Sequence, residues 1–346
     1  MFRHLALFCC LLACSIAFAD GRNGRLDVYF IDVEGGAATL IVTPEGESVL
    51  IDSGYPDNHG RDRDRIIGVA KDVAGLSKID HSVVSHWHLD HYGNHASVAA
   101  EFGIGTFWDR GIPDTLQEDK SFADRIAVYR AASQNASKAL NAGDSIPLKS
   151  GKTKLTASVL TSGRKVVANT GRPNLFADRH EEREVDPSDN AASLSVLFDF
   201  GGFRFLCCGD LTWNIEGKLM TPNNPIGTVD MFMVTHHGLP TSNNPALVLA
   251  IDPTVTVMCN GPTKGGAPET LKTLREIKSL KDMYQLHRNV KLDAELQAPA
   301  DFIANAGTTE TCKGQWVKAS VSPDGSSYTV QVGSEGEQRE YLSRTD

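Results

Sequence analysis

From residue 26 the chain alternates short apolar runs with turn-forming residues at the spacing of β-strands. Residues 26–33, 37–43 and 48–52 are three such runs, divided by Glu34-Gly35-Gly36 and Pro44-Glu45-Gly46. Over residues 61–76 the period changes. Ile66, Ile67, Val69, Ala70 and Val73 share one side, and Arg61-Asp62-Arg63-Asp64-Arg65 takes the other. That pattern predicts a helix with a solvated start. A strand is expected over 79–85, a helix over 94–102 and a strand over 106–110. Residues 117–141 are expected to be mostly helical, as an insertion or lid. After a strand at 154–160, residues 162–188 are rich in Gly, Pro, Arg and Glu. They read as a long irregular loop, which is uncommon inside a domain unless it serves a site.

The second half repeats this layout. A hairpin is expected at 192–200 and 203–208 around Gly201-Gly202, then a helix at 212–220 and a strand at 229–235. A helix at 246–251, a strand at 254–258, a helix at 268–280 and a terminal hairpin at 315–321 and 328–332 follow. Strands interleaved with helices in two similar halves predict sheet packed on sheet with helices outside. No linker splits the chain. One domain is expected over 20–346, with its core at about 26–290, a helical insertion at about 112–145 and a C-terminal hairpin at about 312–334.

Residues 1–19 read as an export signal. Arg3 and His4 precede an apolar run that ends in Ala17-Phe18-Ala19, a small-x-small cleavage pattern. A short membrane anchor is an alternative that a run under 18 residues disfavours, and no later stretch is long and apolar enough for a transmembrane helix. The mature protein is therefore expected in the periplasm or outside the cell. Cleavage before Cys14, as a lipoprotein, is the alternative offered by Leu11-Leu12-Ala13-Cys14.

A chain of 346 residues, 41% hydrophobic and 22% charged, is not a disordered one. Its net charge of -9 argues against gripping nucleic acid through a broad cationic face. It leaves open a small or short phosphodiester cut in a compact metal site. Cys207, Cys208, Cys259 and Cys312 follow the signal, too few for a disulfide scaffold. Cys207 and Cys208 read as small buried residues, and export would permit, without requiring, a bridge between Cys259 and Cys312.

The chemistry is concentrated in His86-Trp87-His88-Leu89-Asp90-His91, directly after an apolar strand. In extended chain, side chains two apart point the same way, so His86 and His88 can hold one ion together. Asp90 and His91 follow on the turning chain and can face a second. Imidazole and carboxylate suit zinc, and also manganese or iron. Asp210 follows one apolar strand across Gly209, and His236-His237-Gly238 follows another. Ligand-type residues thus recur at several strand ends. A carboxylate at Asp210 is suited to bridge two ions.

With Asp52 in Leu50-Ile51-Asp52-Ser53-Gly54, Gly209-Asp210-Leu211 and Thr235-His236-His237-Gly238, this cluster resembles the metallo-β-lactamase-fold hydrolases. Asp32-Val33-Glu34-Gly35-Gly36-Ala37-Ala38 and Ser188-Asp189-Asn190-Ala191-Ala192-Ser193-Leu194 resemble the ComEC-type branch and its stand-alone relatives. The resemblance spans about residues 26–290. It implies an α/β fold, a four-layer αββα sandwich with two divalent ions at one sheet edge. His86 and His88 would hold the first ion, Asp90, His91 and His236 the second, and Asp210 would lie between them. Asp52 would orient a ligand loop, and His237 would contact substrate or protonate a leaving group. Asp90 would also steer the attacking water. Many members carry a third histidine on the first ion, and here that segment reads Asp189-Asn190. Asp189, Asn190 or His180 in the long loop are the candidates to replace it. His59, His81, His95 and His287 are expected on the surface or in packing.

The implied activity is metal-dependent hydrolysis by an ionised bridging water, on a phosphodiester-type substrate. Ester, lactone or β-lactam hydrolysis on the same site is the alternative. A metal-binding protein without catalysis, or an iron redox centre, are readings of another class.

Overall fold

The computed structural model describes residues 23–56 and 58–344. The export signal and Cys14 lie outside the described residues. The first sheet has nine strands. From one edge they run Arg339–Leu342, Ser327–Val332, Val317–Val321, Leu26–Phe30, Thr39–Val42, Ser48–Ile51, Ile79–Val83, Ile104–Asp109 and Lys138–Ala139. The second, of eight, runs Ile303–Asn305, Asp282–His287, Val255–Met258, Met231–Met233, Phe203–Cys207, Ser195–Phe200, Leu155–Ser162 and Lys165–Val166.

Strand alternation builds the layers. Val28 and Phe30 face the second sheet, where they join Val196, Phe198, Phe205, Met231 and Val257 in the central core. Their neighbours Tyr29 and Ile31 face outward and pack with Ile66 and Val69 of the helical segment 61–73. On the other side Leu206 and Phe232 pack under the helices Trp213–Met220, Pro245–Ile251 and Pro268–Arg275. Helix, sheet, sheet, helix is the expected four-layer order. Each fully buried leucine or phenylalanine here is worth about 1.5–3 kcal/mol.

Strands Ser48–Ile51 and Ile79–Val83 pair in parallel, as do Phe203–Cys207, Met231–Met233 and Val255–Met258. Parallel neighbours place their carboxyl ends on one edge, where open α/β sheets commonly bind ligands. Asp52, His86, Asp210 and His236 all follow such ends.

Three local readings change. The helix expected over 117–141 covers only Phe122–Ala132, and Lys138–Ala139 joins the first sheet at its edge. Strand Asp282–His287 was not expected, because Gln285 and His287 break its apolar pattern. Both are buried and find partners: Gln285 accepts from Ala298 N (2.7 Å) and His287 meets Asp32 (2.7 Å). All four cysteines of the described residues are free, so Cys259 and Cys312 are not bridged.

Glu216, on helix Trp213–Met220, is fully buried behind the His236–His237 turn. Its Oε2 accepts from Asn244 N at 2.8 Å, and its Oε1 has no hydrogen-bond partner. Burial raises its carboxyl from 4.5 to about 7. Folding therefore gains from the proton below the unfolded value, and loses that gain as pH rises through 7. The gain amounts to about 3 kcal/mol. Glu216→Gln is expected to stabilise the protein at pH 8 relative to wild type and to lose that advantage at pH 5. Urea unfolding at the two pH values measures this, and a difference independent of pH would contradict it.

Candidate metal centre

Strand Ile79–Val83 delivers Ser85, whose N and Oγ both donate to Asp52, at 2.8 and 2.7 Å. His86 follows in the extended chain, and His88 (φ −86°, ψ 144°) precedes the short helix Leu89–Tyr92 that carries Asp90 and His91. The second sheet meets this segment through Gly209, at φ +55°. A Cβ on Gly209 would lie 2.9 Å from that of Ser85, so only glycine lets Asp210 approach. Asp52, His236 and His237 adopt φ of 60°, 55° and 54°. Non-glycine residues pay about 1–2 kcal/mol each for left-handed backbone. Three such residues around one point mark a built site.

Asp210 Oδ2 is the hub. It lies 3.2 Å from His91 Nε2, 3.4 Å from both His236 Nε2 and His237 Nε2, and 3.9 Å from His86 Nε2. Asp90 Oδ2 lies 3.5 Å from His91 Nε2 and 3.4 Å from His237 Nε2. Every one of these imidazoles is oriented from behind through Nδ1: His91 by Asp52 (2.8 Å), His237 by Cys259 O (2.9 Å), His236 by Ser242 Oγ (3.0 Å), His86 by Ser85 Oγ (3.0 Å). Such support is what aims a histidine nitrogen at a metal.

The charges follow. Burial, reinforced by His91, holds His86 well below the usual imidazole range. Burial brings His236 down to about 4. Burial also opposes charge on His91, but Asp210, Asp90 and Asp52 outweigh it and hold that ring well above the usual range. His237 is raised, with Asp210 prevailing over burial. Against their own burial, Asp90 and Asp210 are held well below the carboxylate range by His91 and its neighbours.

The donor atoms of Asp90, His91, Asp210 and His237 lie within 4.8 Å of one another. His86 Nε2 is buried without a hydrogen-bond partner, facing Asp210. A buried lone pair aimed at oxygen donors is costly unless something binds it. The residues present fit a divalent cation centre.

The expected residues do not all converge on Asp210. His237, rather than His236, has its donor atom within 4.8 Å of those of Asp90, His91 and Asp210. His237 is held through Nδ1 by Cys259 O at 2.9 Å, and its Nε2 lies 3.4 Å from both Asp90 Oδ2 and Asp210 Oδ2. The Nε2 of His236 instead meets Asn190 Nδ2 at 3.3 Å and Asp210 Oδ2 at 3.4 Å. Asp189 is committed elsewhere: it accepts from Trp87 N at 2.6 Å and pairs with Arg110. His180 packs on Gly217 and meets Asn244 at 2.7 Å, away from the cluster. His88 lies beside His86, with ring centroids 4.7 Å apart, but its Nε2 meets Glu118 Oε1 at 3.0 Å.

Glu118 and Lys264 were not foreseen. Glu118 Oε1 also accepts from Asp189 N at 2.6 Å, so it ties the insertion to the histidine loop. Lys264 Nζ lies 2.5 Å from Asp90 Oδ2 and 3.4 Å from Tyr55 Oη. Behind the centre, Asp32 accepts from Glu34 N, Arg65 and His287, at 2.9, 2.8 and 2.7 Å, and Cys312 Sγ lies 3.1 Å away. This network pins the turn that gives Ala37 N to Asp90 O at 3.0 Å.

Two packed sheets with a buried histidine–aspartate centre at the carboxyl ends of their parallel strands define a class of metal-binding sandwich. The chain belongs to the metallo-beta-lactamase superfamily, whose family model matches residues 31–282. Among solved structures it is similar to Igni18, a metallo hydrolase from the archaeon Ignicoccus hospitalis. That match has 13% identity, covers 75% of this chain and 94% of that one, and has a TM-score of 0.43. ST1585 from Sulfolobus tokodaii, a metallo-beta-lactamase superfamily protein, is 14% identical over 76% and 78%, with a TM-score of 0.29. CmlA, a diiron β-hydroxylase from Streptomyces venezuelae, is 15% identical over 73% of this chain, with a TM-score of 0.37. This chain spans 47% of that CmlA chain. No curated protein matches the chain.

Proposed function

We propose that this chain is an exported metal-dependent hydrolase of phosphodiester-type substrates, allied to the ComEC-type branch of the superfamily. The observation that carries the reading is the convergence of His86, Asp90, His91, His236 and His237 on Asp210, with the buried Nε2 of His86 left unpartnered. His86, His88 and His236 would hold one ion and Asp90, His91 and His237 the other, with Asp210 between. Divalent ions, zinc in the first instance, would acidify a water and polarise the substrate oxygen when bound.

The chain's own residues supply the rest. Asp52 fixes the ring of His91, and Cys259 O fixes that of His237. Asp210, within reach of imidazoles from both sets, keeps them facing one another. Asp90 sits at the rim, where its Oδ2 can orient a water. Glu118 holds His88 from the insertion side. Export rests on residues 1–19, and the branch on the Asp32–Ala38 and Ser188–Leu194 motifs.

The test is metal content of the purified protein together with hydrolysis of bis-p-nitrophenyl phosphate, nitrocefin and a lactone, with zinc and with manganese. Bound metal and diester turnover are expected. Turnover of only the carbonyl substrates would overturn the substrate assignment, and iron with visible absorbance would favour a redox centre.

A further inference from the structure

We propose that Lys264 binds the negatively charged oxygen of the substrate, at the Asp90 edge of the centre. The inference rests on the hydrolase reading above and names the charge that its substrate must carry.

The ammonium lies 2.5 Å from Asp90 Oδ2 and 3.4 Å from Tyr55 Oη, and 5.7 Å from the centroid of the Tyr55 ring. Its side chain remains 31% exposed, against 11% for Asp90, so it reaches from the rim rather than from the core. The loop that carries it is held on several sides. Gly266 N donates to His237 O at 2.9 Å, Ala267 N to Gly238 O at 2.8 Å, and Gly261 N to Lys264 O at 2.9 Å. Asn289 Nδ2 donates to Gly265 O at 2.8 Å. Gly265 has φ +86°, and a Cβ there would lie 2.1 Å from His237 O. A Cβ on Gly35 would lie 3.3 Å from that of Lys264, so this glycine makes room for the lysine stem. The loop thus fixes the ammonium relative to His237 and the acidic rim.

Charge balance says what it is for. The ion-pair partner of the ammonium is Asp90 Oδ2, a carboxylate that would be shared with an ion once the centre is loaded. Lys264, with its side chain 31% exposed, would then be left to meet an anionic oxygen at the rim. A neutral ester or lactone would leave it unmatched, whereas a phosphodiester monoanion matches it. A lysine ammonium, a compact point charge, is a common phosphate binder.

Lys264→Met and Lys264→Arg test this in the metal-loaded protein, with metal content measured in parallel. Inorganic phosphate, titrated calorimetrically, should bind Lys264→Met about tenfold to a hundredfold more weakly than wild type. Metal content should stay as in wild type, and Lys264→Arg should recover part of the affinity. Lys264→Met should also lose turnover of bis-p-nitrophenyl phosphate about tenfold more than turnover of the neutral p-nitrophenyl acetate. Unchanged phosphate affinity, or parallel losses on the two substrates, would remove the assignment of Lys264 and leave the hydrolase reading standing. Wild-type protein that binds no metal would sink that reading and this one together.

Discussion

Asp210→Ala is expected to cost the protein its metal and roughly a thousandfold or more in turnover. The reason is geometric. Its Oδ2 lies within 3.9 Å of the Nε2 atoms of His86, His91, His236 and His237. Without that oxygen, His91 and His237 lose the largest of the charges that raise them, and His236 loses its acidic neighbour. What remains is imidazoles around Asp90, a single carboxylate within the cluster to offset two cations. Asp210→Asn separates charge from shape: it keeps the packing and removes the negative charge, so it should fold and still fail to hold metal at wild-type stoichiometry. Elemental analysis of both variants reads the outcome directly. Wild-type metal content in Asp210→Ala would refute the centre as drawn here.

How far this centre was visible in the chain depends on how ligands are arranged along it. His86, His88, Asp90 and His91 announce themselves because they crowd one strand end. Asp210 and the His236-His237 pair stand out because each follows an apolar strand, and parallel pairing carries all of them to one edge. The order of the two later histidines did not reveal their roles. Both sit in left-handed backbone, and nothing in the residue types encodes which ring meets Asp90. Glu118 and Lys264 had no local pattern at all, being single charges in loops. In hindsight the glycines around Lys264 were the signal, since Gly261, Gly265 and Gly266 permit the close backbone approach that pins its loop. Strand Asp282–His287 hid for a related reason: its polar residues are satisfied by partners outside the strand, Asp32 and Ala298 among them.

Asp52 should separate folding from metal binding more cleanly than any ligand. It is fully buried at φ 60°, where aspartate and asparagine are tolerated far better than alanine. Its carboxylate takes the Ser85 N, the Ser85 Oγ and the His91 Nδ1, at 2.8, 2.7 and 2.8 Å. Asp52→Ala leaves those buried donors without an acceptor, one of them on a charged ring, and strains the backbone as well. Breaking such a pair costs about 3–5 kcal/mol, with about 1 kcal/mol more for the left-handed alanine. At about 2–3 °C per kcal/mol for a chain of this size, Tm should fall by roughly 10 °C. Asp52→Asn keeps the backbone and one acceptor oxygen, so it should unfold close to wild type. Its amide cannot hold both Ser85 and the His91 ring as the carboxylate does, and zinc affinity should fall about tenfold to a hundredfold. Thermal unfolding and competition against a chelator, run on both variants, distinguish the two effects. If Asp52→Asn held zinc as tightly as wild type, the ring of His91 would be aimed by packing alone, and the role given to this carboxylate would be wrong.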